Sequence, residues 1–194
     1  MEIWQLLLLA AVGIAAGWLN VMAGGGSLLT VPVMLFMGIP GPVANGTNRI
    51  AILAQNVSAV TAFRRRGFSD FRLSLSLSLA ASIGALGGAS VGVHLSGEWF
   101  DRVLALVMIA VMVLMATGHD KVRTADTGAQ PRNLAWGHLL MVGAGFWGGF
   151  IQIGVGFILM PILHRVLGLD LVRVNMHKVF IVLVYTIVAL LVFA

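Results

Sequence analysis

The sequence predicts an all-α integral membrane protein, built as a duplicated multi-helix bundle with broken or re-entrant helices at two glycine-rich motifs. Three observations lead to this fold class: the composition, the lengths of the apolar segments and an internal repeat. Of the 194 residues, 59% are hydrophobic and 10% are charged, and the mean hydropathy is +1.00. Soluble domains carry about 25% charged residues, so this chain has too few polar groups to cover a water-exposed surface.

The charged residues and the absence of cysteine limit the kinds of site and partner that the protein can have. The chain contains no cysteine, which excludes disulfides and thiolate metal sites. The formal charge of +5 is concentrated in two short loops, which is typical of a topology signal rather than of a nucleic-acid-binding surface. We therefore expect the lipid bilayer as the main partner, no nucleic acid, no metal and no cofactor. The N-terminal residues lack the basic region of a signal peptide, so the first apolar run is expected to remain as a membrane segment.

Apolar segments of unequal length follow one another along the chain. They cover residues 3–22, 27–39, 49–63, 73–95, 101–117, 134–152, 155–167 and 176–194. A spanning helix needs about 20 residues. By this measure 3–22 and 73–95 span comfortably and 101–117 barely does. Segments 27–39 and 155–167 are too short, so we interpret them as half-helices or as continuations of a broken helix.

Residues 71–79, with the sequence FRLSLSLSL, alternate strictly between apolar and polar side chains. In a soluble protein this alternation would predict a strand. Here it leads into residues 80–90, which are rich in glycine, alanine and serine and suit close helix packing in lipid. We therefore predict a helix, in which serine hydroxyls can donate to backbone carbonyls.

Two polar loops, residues 64–72 and 118–133, carry an excess of arginine and lysine and are separated by two plausible spans. The positive-inside rule places both loops in the cytoplasm of a multi-pass protein of the plasma (inner) membrane. Residues 3–39 cross the membrane either once or twice. A single broken crossing gives a parallel repeat with a cytoplasmic N-terminus, and a double crossing gives an inverted repeat with the N-terminus outside. The shortness of 27–39 favours the single crossing.

A shift of 130 residues aligns the two halves of the chain without a gap. The identical pairs include Gly13 with Gly143, Gly24 with Gly154, Gly26 with Gly156, Leu29 with Leu159, Gly38 with Gly168 and Asn45 with Asn175. Chance similarity is the competing explanation in a glycine-rich chain, but the single shared register favours a duplicated unit, which is common in transporters.

The repeat divides the chain into a first copy at 1–117, a cytoplasmic linker at 118–133 and a second copy at 134–194. Counterparts of residues 64–117 would lie almost entirely beyond the last residue. The second copy is therefore expected to lack its last two helices. We interpret the chain as a fragment, while a short protein that completes itself by association, such as a homo-oligomer, stays open.

Three consecutive glycines, Gly24, Gly25 and Gly26, lie where a helix would cross lipid. Glycine is about 1 kcal/mol worse than alanine in a helix, and irregular backbone in lipid occurs only inside protein or beside a wet cavity. The helix that restarts at Ser27 would present N–H groups and partial positive charge, which attract anions. Glycines also serve close helix packing, but a second copy at 154–156 favours a binding site at each break.

A second motif, residues 44–49, and its counterpart, residues 174–178, place amide, hydroxyl and cationic groups before an apolar run. Capping and snorkelling are the alternative explanation. Taken alone, Arg49 is assigned to snorkelling, whereas Lys178 is the stronger site candidate. The full set of candidate substrate-binding residues is Gly24, Gly25, Gly26, Ser27, Asn45, Thr47, Asn48, Gln152, Gly154, Gly156, Asn175, His177 and Lys178. None is acidic, so the set suits an anion and makes a poor cage for a hard cation.

Taken together, these motifs resemble the sulfite exporter TauE/SafE family of membrane transporters. The resemblance rests on GWLNVMAGGGSLLTVP at 17–32, GIPGPVANGTNRI at 38–50, the basic loop that follows, GFWGGFIQIGVGF at 145–157 and NMHK at 175–178. It implies a duplicated protein of about eight helices, of which the last two would be absent here. It also implies export of small sulfur-containing anions such as sulfite or sulfonated organic acids. The residues that fall on the family's motifs are Gly24, Gly25, Gly26, Asn45, Thr47, Asn175 and Lys178.

The leading hypothesis is a secondary transporter, not an enzyme, that exports a small sulfur-containing or organic anion. One alternative is a transporter of a cation or another small metabolite. A second is an intramembrane enzyme, which would need Ser27 and His177 within hydrogen-bond reach. A third is a purely structural membrane partner. The direction of transport and the coupling ion stay open at this point.

Overall fold

A computed structural model describes residues 2–67, 70–94, 98–117 and 131–193. Its helices are α1 (Ile3–Met22), α2 (Ser27–Phe36), α3 (Gly41–Arg65), α4 (Phe71–His94), α5 (Glu98–Thr117), α6 (Leu134–Phe150), α7 (Val155–Pro161) and α8 (Leu171–Phe193). A π-helical segment, Ile162–Val166, continues α7. The described residues contain no strand, which confirms the all-α prediction. Residues 118–130 of the predicted linker lie outside the described residues.

The helix lengths agree with the predicted mixture of full and partial crossings. In the described part of the chain, α1, α4 and most of α8 are long and apolar enough to span a membrane. Helix α2 has 10 residues and α7 has 7, which confirms the two predicted half-helices. Helix α4 covers the alternating segment, and the Ser78 hydroxyl donates to the Ser74 carbonyl oxygen at 2.6 Å, as the helical interpretation predicts.

Close backbone packing joins α4 to α6. A Cβ added to Gly84 or Gly145 would lie 1.9 Å from the carbonyl oxygen of Val142 or Ala81, respectively. No side chain fits at such a contact, so the small residues of both helices allow their backbones to touch. This is the packing that the small-residue run predicts.

Each half-helix folds back on the helix before it. Gly26, at the start of α2, lies directly against the carbonyl oxygen of Ala16, more than two turns earlier in the chain. In the second half, the N–H of Arg132 donates to the carbonyl oxygen of Leu167 at 3.0 Å, so the π-helical end of α7 returns to the start of α6. Both breaks are therefore hairpins, and α2 does not continue the crossing begun by α1.

Helices α3 and α8, which the repeat pairs with each other, run antiparallel. Arg64, at the end of α3, shares a cavity with Met176 near the start of α8. Ile52, earlier in α3, shares another cavity with Val182, later in α8. The units that the 130-residue register relates therefore have opposite directions. The interpretation of 3–39 as a single broken crossing, which gives a parallel repeat, is wrong, because a half-length helix can turn back as well as continue.

Candidate functional site

The two glycine breaks meet each other. A Cβ added to Gly24 would lie 2.3 Å from the Cα of Gly156, and one added to Gly156 would lie 2.2 Å from the Cα of Gly24. Gly24 and Gly154 have left-handed φ angles of +80° and +69°, and the non-glycine Gln152 shares this conformation at φ 67°. Such a conformation is uncommon for a residue with a side chain. The sequence motifs thus form one contact surface between the two halves.

Side chains from α1 and α3 hold the first break in place. The N–H of Gly26 donates to Asn20 Oδ1 at 3.0 Å. The amide of Asn48 donates to Ser27 Oγ at 3.0 Å and accepts from Thr30 Oγ1 at 2.7 Å. Ser27 and Asn48 are both buried, so the structure brings the first motif and the second motif together at the start of α2.

Lys178 lies at the first break although it belongs to the second half. Its side chain is buried, and Nζ donates to the carbonyl oxygens of Val21 at 2.8 Å and Met22 at 3.5 Å. It also donates to Asn175 Oδ1 at 2.8 Å. The last carbonyls of a helix have no partner within the helix and carry partial negative charge. Lys178 therefore caps the C-terminus of α1, and no ion pair to a carboxylate is found for it within the described residues.

Arg49 makes the matching contact at the second break. It is completely buried and donates to the carbonyl oxygens of Gly148, Gly149 and Phe150, at 3.1, 2.5 and 3.0 Å. Its assignment to snorkelling at the membrane interface is therefore wrong. Buried carbonyls in lipid need donors, and the last turn of α6 finds them in Arg49. Each half thus sends a cation from its third helix to the broken helix of the other half.

A small cavity lies between the two breaks. Its volume is about 20 Å³, which is room for roughly one water molecule. Its polar lining consists of Asn20, Ser27, Gln55, Asn56, Gln152 and Lys178. This is a closed arrangement, so a sulfite-sized anion could enter only after the breaks separate.

Three polar lining residues, Asn20, Gln55 and Asn56, are absent from the sequence-based set. The sequence feature that could have identified them is the presence of amide side chains inside otherwise apolar helices. Such polar groups cost free energy in lipid and commonly face the bundle interior. Asn56 also donates to the carbonyl oxygen of Ile52 at 2.7 Å, which explains how it is tolerated in α3.

Three predicted site residues lie elsewhere. Thr47 is exposed on the outer face of α3. Asn45 is buried in α3 but does not line the cavity. His177 is buried against α4, where its Nδ1 lies 2.8 Å from Ser74 Oγ and its Nε2 lies 3.9 Å from Asp70 Oδ2. None of these three side chains lines the cavity between the breaks.

The placement of His177 also bears on the enzyme alternative. Ser27 Oγ accepts a hydrogen bond from Asn48, whereas His177 is paired with Ser74. Nucleophile and base must lie within hydrogen-bond reach for serine catalysis. The Ser27 and His177 pair on which this alternative depended is not formed.

We expect Gly24→Ala to lower the free energy of unfolding by about 2–4 kcal/mol and Gly156→Ala to lower it by about 1–3 kcal/mol. The added Cβ would overlap backbone atoms of the other break, and overpacking costs about 1–3 kcal/mol. At Gly24 the left-handed backbone adds roughly 1 kcal/mol. Thermal unfolding in detergent measures the effect.

Gly13→Ala and Gly143→Ala are matched controls for the glycine variants. Both residues lie within helices and have no atom within 4 Å of an added Cβ. Alanine is the better helix former, so these variants should melt at or slightly above the wild-type temperature. Melting of all four variants at the same temperature would contradict the close contact between the breaks.

The family model and the relatives that match the chain agree with one another. A family model described as "Sulfite exporter TauE/SafE" matches residues 9–194. A "Probable membrane transporter protein ORF9" of a Sinorhizobium species is 26% identical over 166 residues, covering 86% of this chain and 63% of that protein. A "Probable membrane transporter protein" of Haemophilus influenzae is 28% identical over 177 residues, covering 89% of this chain and 67% of the relative.

A third relative, "Probable membrane transporter protein YfcA" of Escherichia coli, is 24% identical over 172 residues, which cover 86% of this chain and 61% of that protein. The chain thus spans about two thirds or less of the length of these relatives. No solved structure matches the chain.

Proposed function

Because the chain belongs to the sulfite exporter TauE/SafE family, we propose that it carries the substrate site of a secondary membrane transporter for a small sulfur-containing or organic anion. One observation carries the proposal. A buried ammonium group, Lys178, and a buried guanidinium group, Arg49, stand at the two touching breaks. Among the described residues that line the cavity between the breaks, none is acidic.

The chemistry of the cavity favours an anion over a cation. Its polar lining offers amides, a hydroxyl and the Lys178 ammonium group. Hard metal cations prefer several carboxylate or carbonyl oxygens, and a buried positive charge repels them. Discontinuous helices in which the N-terminus of a half-helix points at an anionic group are a recurrent arrangement in transporters. A transporter of a cation or another metabolite is the competing function.

An anionic substrate that enters the site would compete with the carbonyl oxygens of α1 for the ammonium group of Lys178. In the closed arrangement Lys178 bonds to the carbonyl oxygens of α1. An anion that enters between the breaks offers the same ammonium group a full negative charge instead of the partial charge of a carbonyl oxygen, and the attraction between full charges is strong where water is excluded. Binding would thus weaken the cap on α1 and free the first break to move. We propose export as the direction of transport.

The function is tested by thermal unfolding of the purified protein in detergent, from the longest reading frame that encodes it, against a panel of ions. The panel contains sulfite, small sulfonates, chloride and alkali and divalent cations. A ligand at 100 times its Kd adds about 2.7 kcal/mol to the native state. We expect a higher melting temperature with sulfite or a sulfonate. Stabilisation by cations alone would contradict the anion assignment.

We also infer that the protein is a multi-pass plasma (inner) membrane protein with loops 64–72 and 118–133 in the cytoplasm. Helix α3 joins Pro40 to Arg66 and, at 25 residues, is about 37 Å long. Since the chain has no cysteine, the exposed residues Pro40 and Arg66 can be changed singly to cysteine. In intact cells an impermeant maleimide should label Pro40→Cys at once and Arg66→Cys only after permeabilisation. Labelling of both from outside would contradict this topology.

A further inference from the structure

An exposed groove lies along the end of α3 and shares no described lining residue with the cavity between the glycine breaks. Its volume is about 490 Å³, and it is lined by Val57, Ser58, Thr61, Ala62, Arg65 and Arg66. Side chains from no other described helix line it. It has no part in the transport site proposed above. Its two ends differ chemically, since one is apolar and the other is cationic.

One end of the groove is apolar although it contains two hydroxyl groups. Ser58 Oγ donates to the carbonyl oxygen of Ala54 at 3.1 Å, and Thr61 Oγ1 donates to that of Val57 at 2.8 Å. Both hydroxyls are therefore satisfied within their own helix. The methyl groups of Val57, Thr61 and Ala62 therefore give this end of the groove an apolar lining.

The other end of the groove is cationic. Arg65 and Arg66 are exposed, and neither forms an ion pair with a carboxylate in the part of the chain that the structure describes. The sequence of α3 contains no aspartate or glutamate. Asp70, the nearest acid in the sequence, is paired with Arg173 at 3.0 Å. Both guanidinium groups are thus available to an external anion.

We propose that this groove binds one anionic phospholipid, with the phosphate on Arg65 and Arg66 and an acyl chain along Val57 to Ala62. Charge complementarity at the depth of the lipid headgroups supports this occupant. Arginines at the end of a membrane helix lie at the level of the lipid phosphates, where each adds about 1 kcal/mol of attraction to an anionic surface. The uncharged groove extends from there into the hydrocarbon for about 12 Å, the rise of eight helical residues.

The test is native mass spectrometry of the purified protein from nanodiscs that contain equal amounts of phosphatidylglycerol and phosphatidylcholine. We expect the wild type to retain phosphatidylglycerol preferentially. The double variant Arg65→Gln with Arg66→Gln should lose about 30-fold in relative retention, which is about 5-fold for each arginine. Arg65→Lys with Arg66→Lys should keep most of the preference, since the charge stays.

Two further variants separate a built site from general attraction. Ser58→Leu with Ala62→Leu fills the groove and keeps both arginines, so it should also reduce retention. Arg72→Gln removes an exposed arginine at the start of α4, outside the groove, and should reduce retention far less than the Arg65/Arg66 double variant. Equal losses in the Arg65/Arg66 and Arg72 variants would overturn the proposal, as would unchanged retention in the filled groove. Conversion of a dimer to a monomer by the leucine variant in every lipid would also overturn it, because a second copy would then occupy the groove.

Discussion

Replacing Arg49 with methionine is expected to lower the free energy of unfolding by about 3–5 kcal/mol, the largest stability effect we predict for a single residue. Arg49 is fully buried and donates to three consecutive carbonyl oxygens at the end of α6. Leaving a buried acceptor without a donor costs about 1–3 kcal/mol for each group, and no water in the hydrocarbon can replace the lost bonds. Methionine keeps most of the volume, so the change isolates the hydrogen bonds.

Two matched variants sharpen the Arg49 measurement. Arg49→Lys keeps the charge but replaces a planar fork of donors by one compact ammonium group. It should recover part of the stability and leave some of the three carbonyls unpaired. Arg72→Met removes an exposed arginine and should have little effect. Unfolding in detergent and hydrogen exchange at residues 148–150 report the result. Stability of Arg49→Met close to that of the wild type would show that these hydrogen bonds do not hold the break.

The role of Arg49 shows where prediction from the sequence ends. An arginine at the start of an apolar run predicts snorkelling, because local sequence gives no depth. The partners of Arg49 lie 99 to 101 residues away, at the end of α6. They meet Arg49 only because the two halves, which run in opposite directions, pack against each other. The same arrangement could not be predicted from the lengths of the apolar segments, because a short helix after a break can either continue or turn back.

Features that depend on local chemistry were predictable. Consecutive glycines weaken a helix wherever they occur, so the breaks near Gly24 and Gly154 and the short helices after them followed from the sequence. The helix at 71–94 followed from its small residues. Within the candidate site, the sequence predicted Ser27, Asn48, Gln152 and Lys178, which the structure places at the breaks. It did not predict Asn20, although the cost of a lone amide inside an apolar helix would have pointed to it.

His177 and Lys178 show why neighbours in a motif need not share a role. Successive residues of a helix point about 100° apart, as 3.6 residues complete a turn. Lys178 therefore faces α1 while His177 faces α4. Thr47, the repeat counterpart of His177, is exposed on α3. The matched register thus relates positions in the two halves without giving them the same surroundings, because α4 covers that face only in the second half.

Lys178→Met is expected to abolish the stabilisation of the protein by its anion and, in proteoliposomes, transport of that anion. Methionine fills most of the space of the lysine stem and removes the only ammonium group in the polar lining of the cavity described here. An ionised hydrogen-bond donor contributes more than a neutral one, and the amides that remain would have to bind the anion alone. Lys178→Arg should bind the anion more weakly than the wild type but measurably.

A purely structural role of Lys178 makes a different prediction from a role in binding. The carbonyl oxygens of Val21 and Met22 lose their donor in either case, so some loss of stability is expected from the cap alone. The anion-dependent rise in melting temperature distinguishes the two roles, since a structural lysine would leave that rise unchanged in Lys178→Met.

Asn175→Ala serves as the control, because it removes one acceptor of Lys178 but keeps the charge. If Asn175→Ala responds to sulfite or sulfonates and Lys178→Met does not, the ammonium group itself binds the anion. If both respond like the wild type, Lys178 is only a helix cap, and the substrate must bind elsewhere.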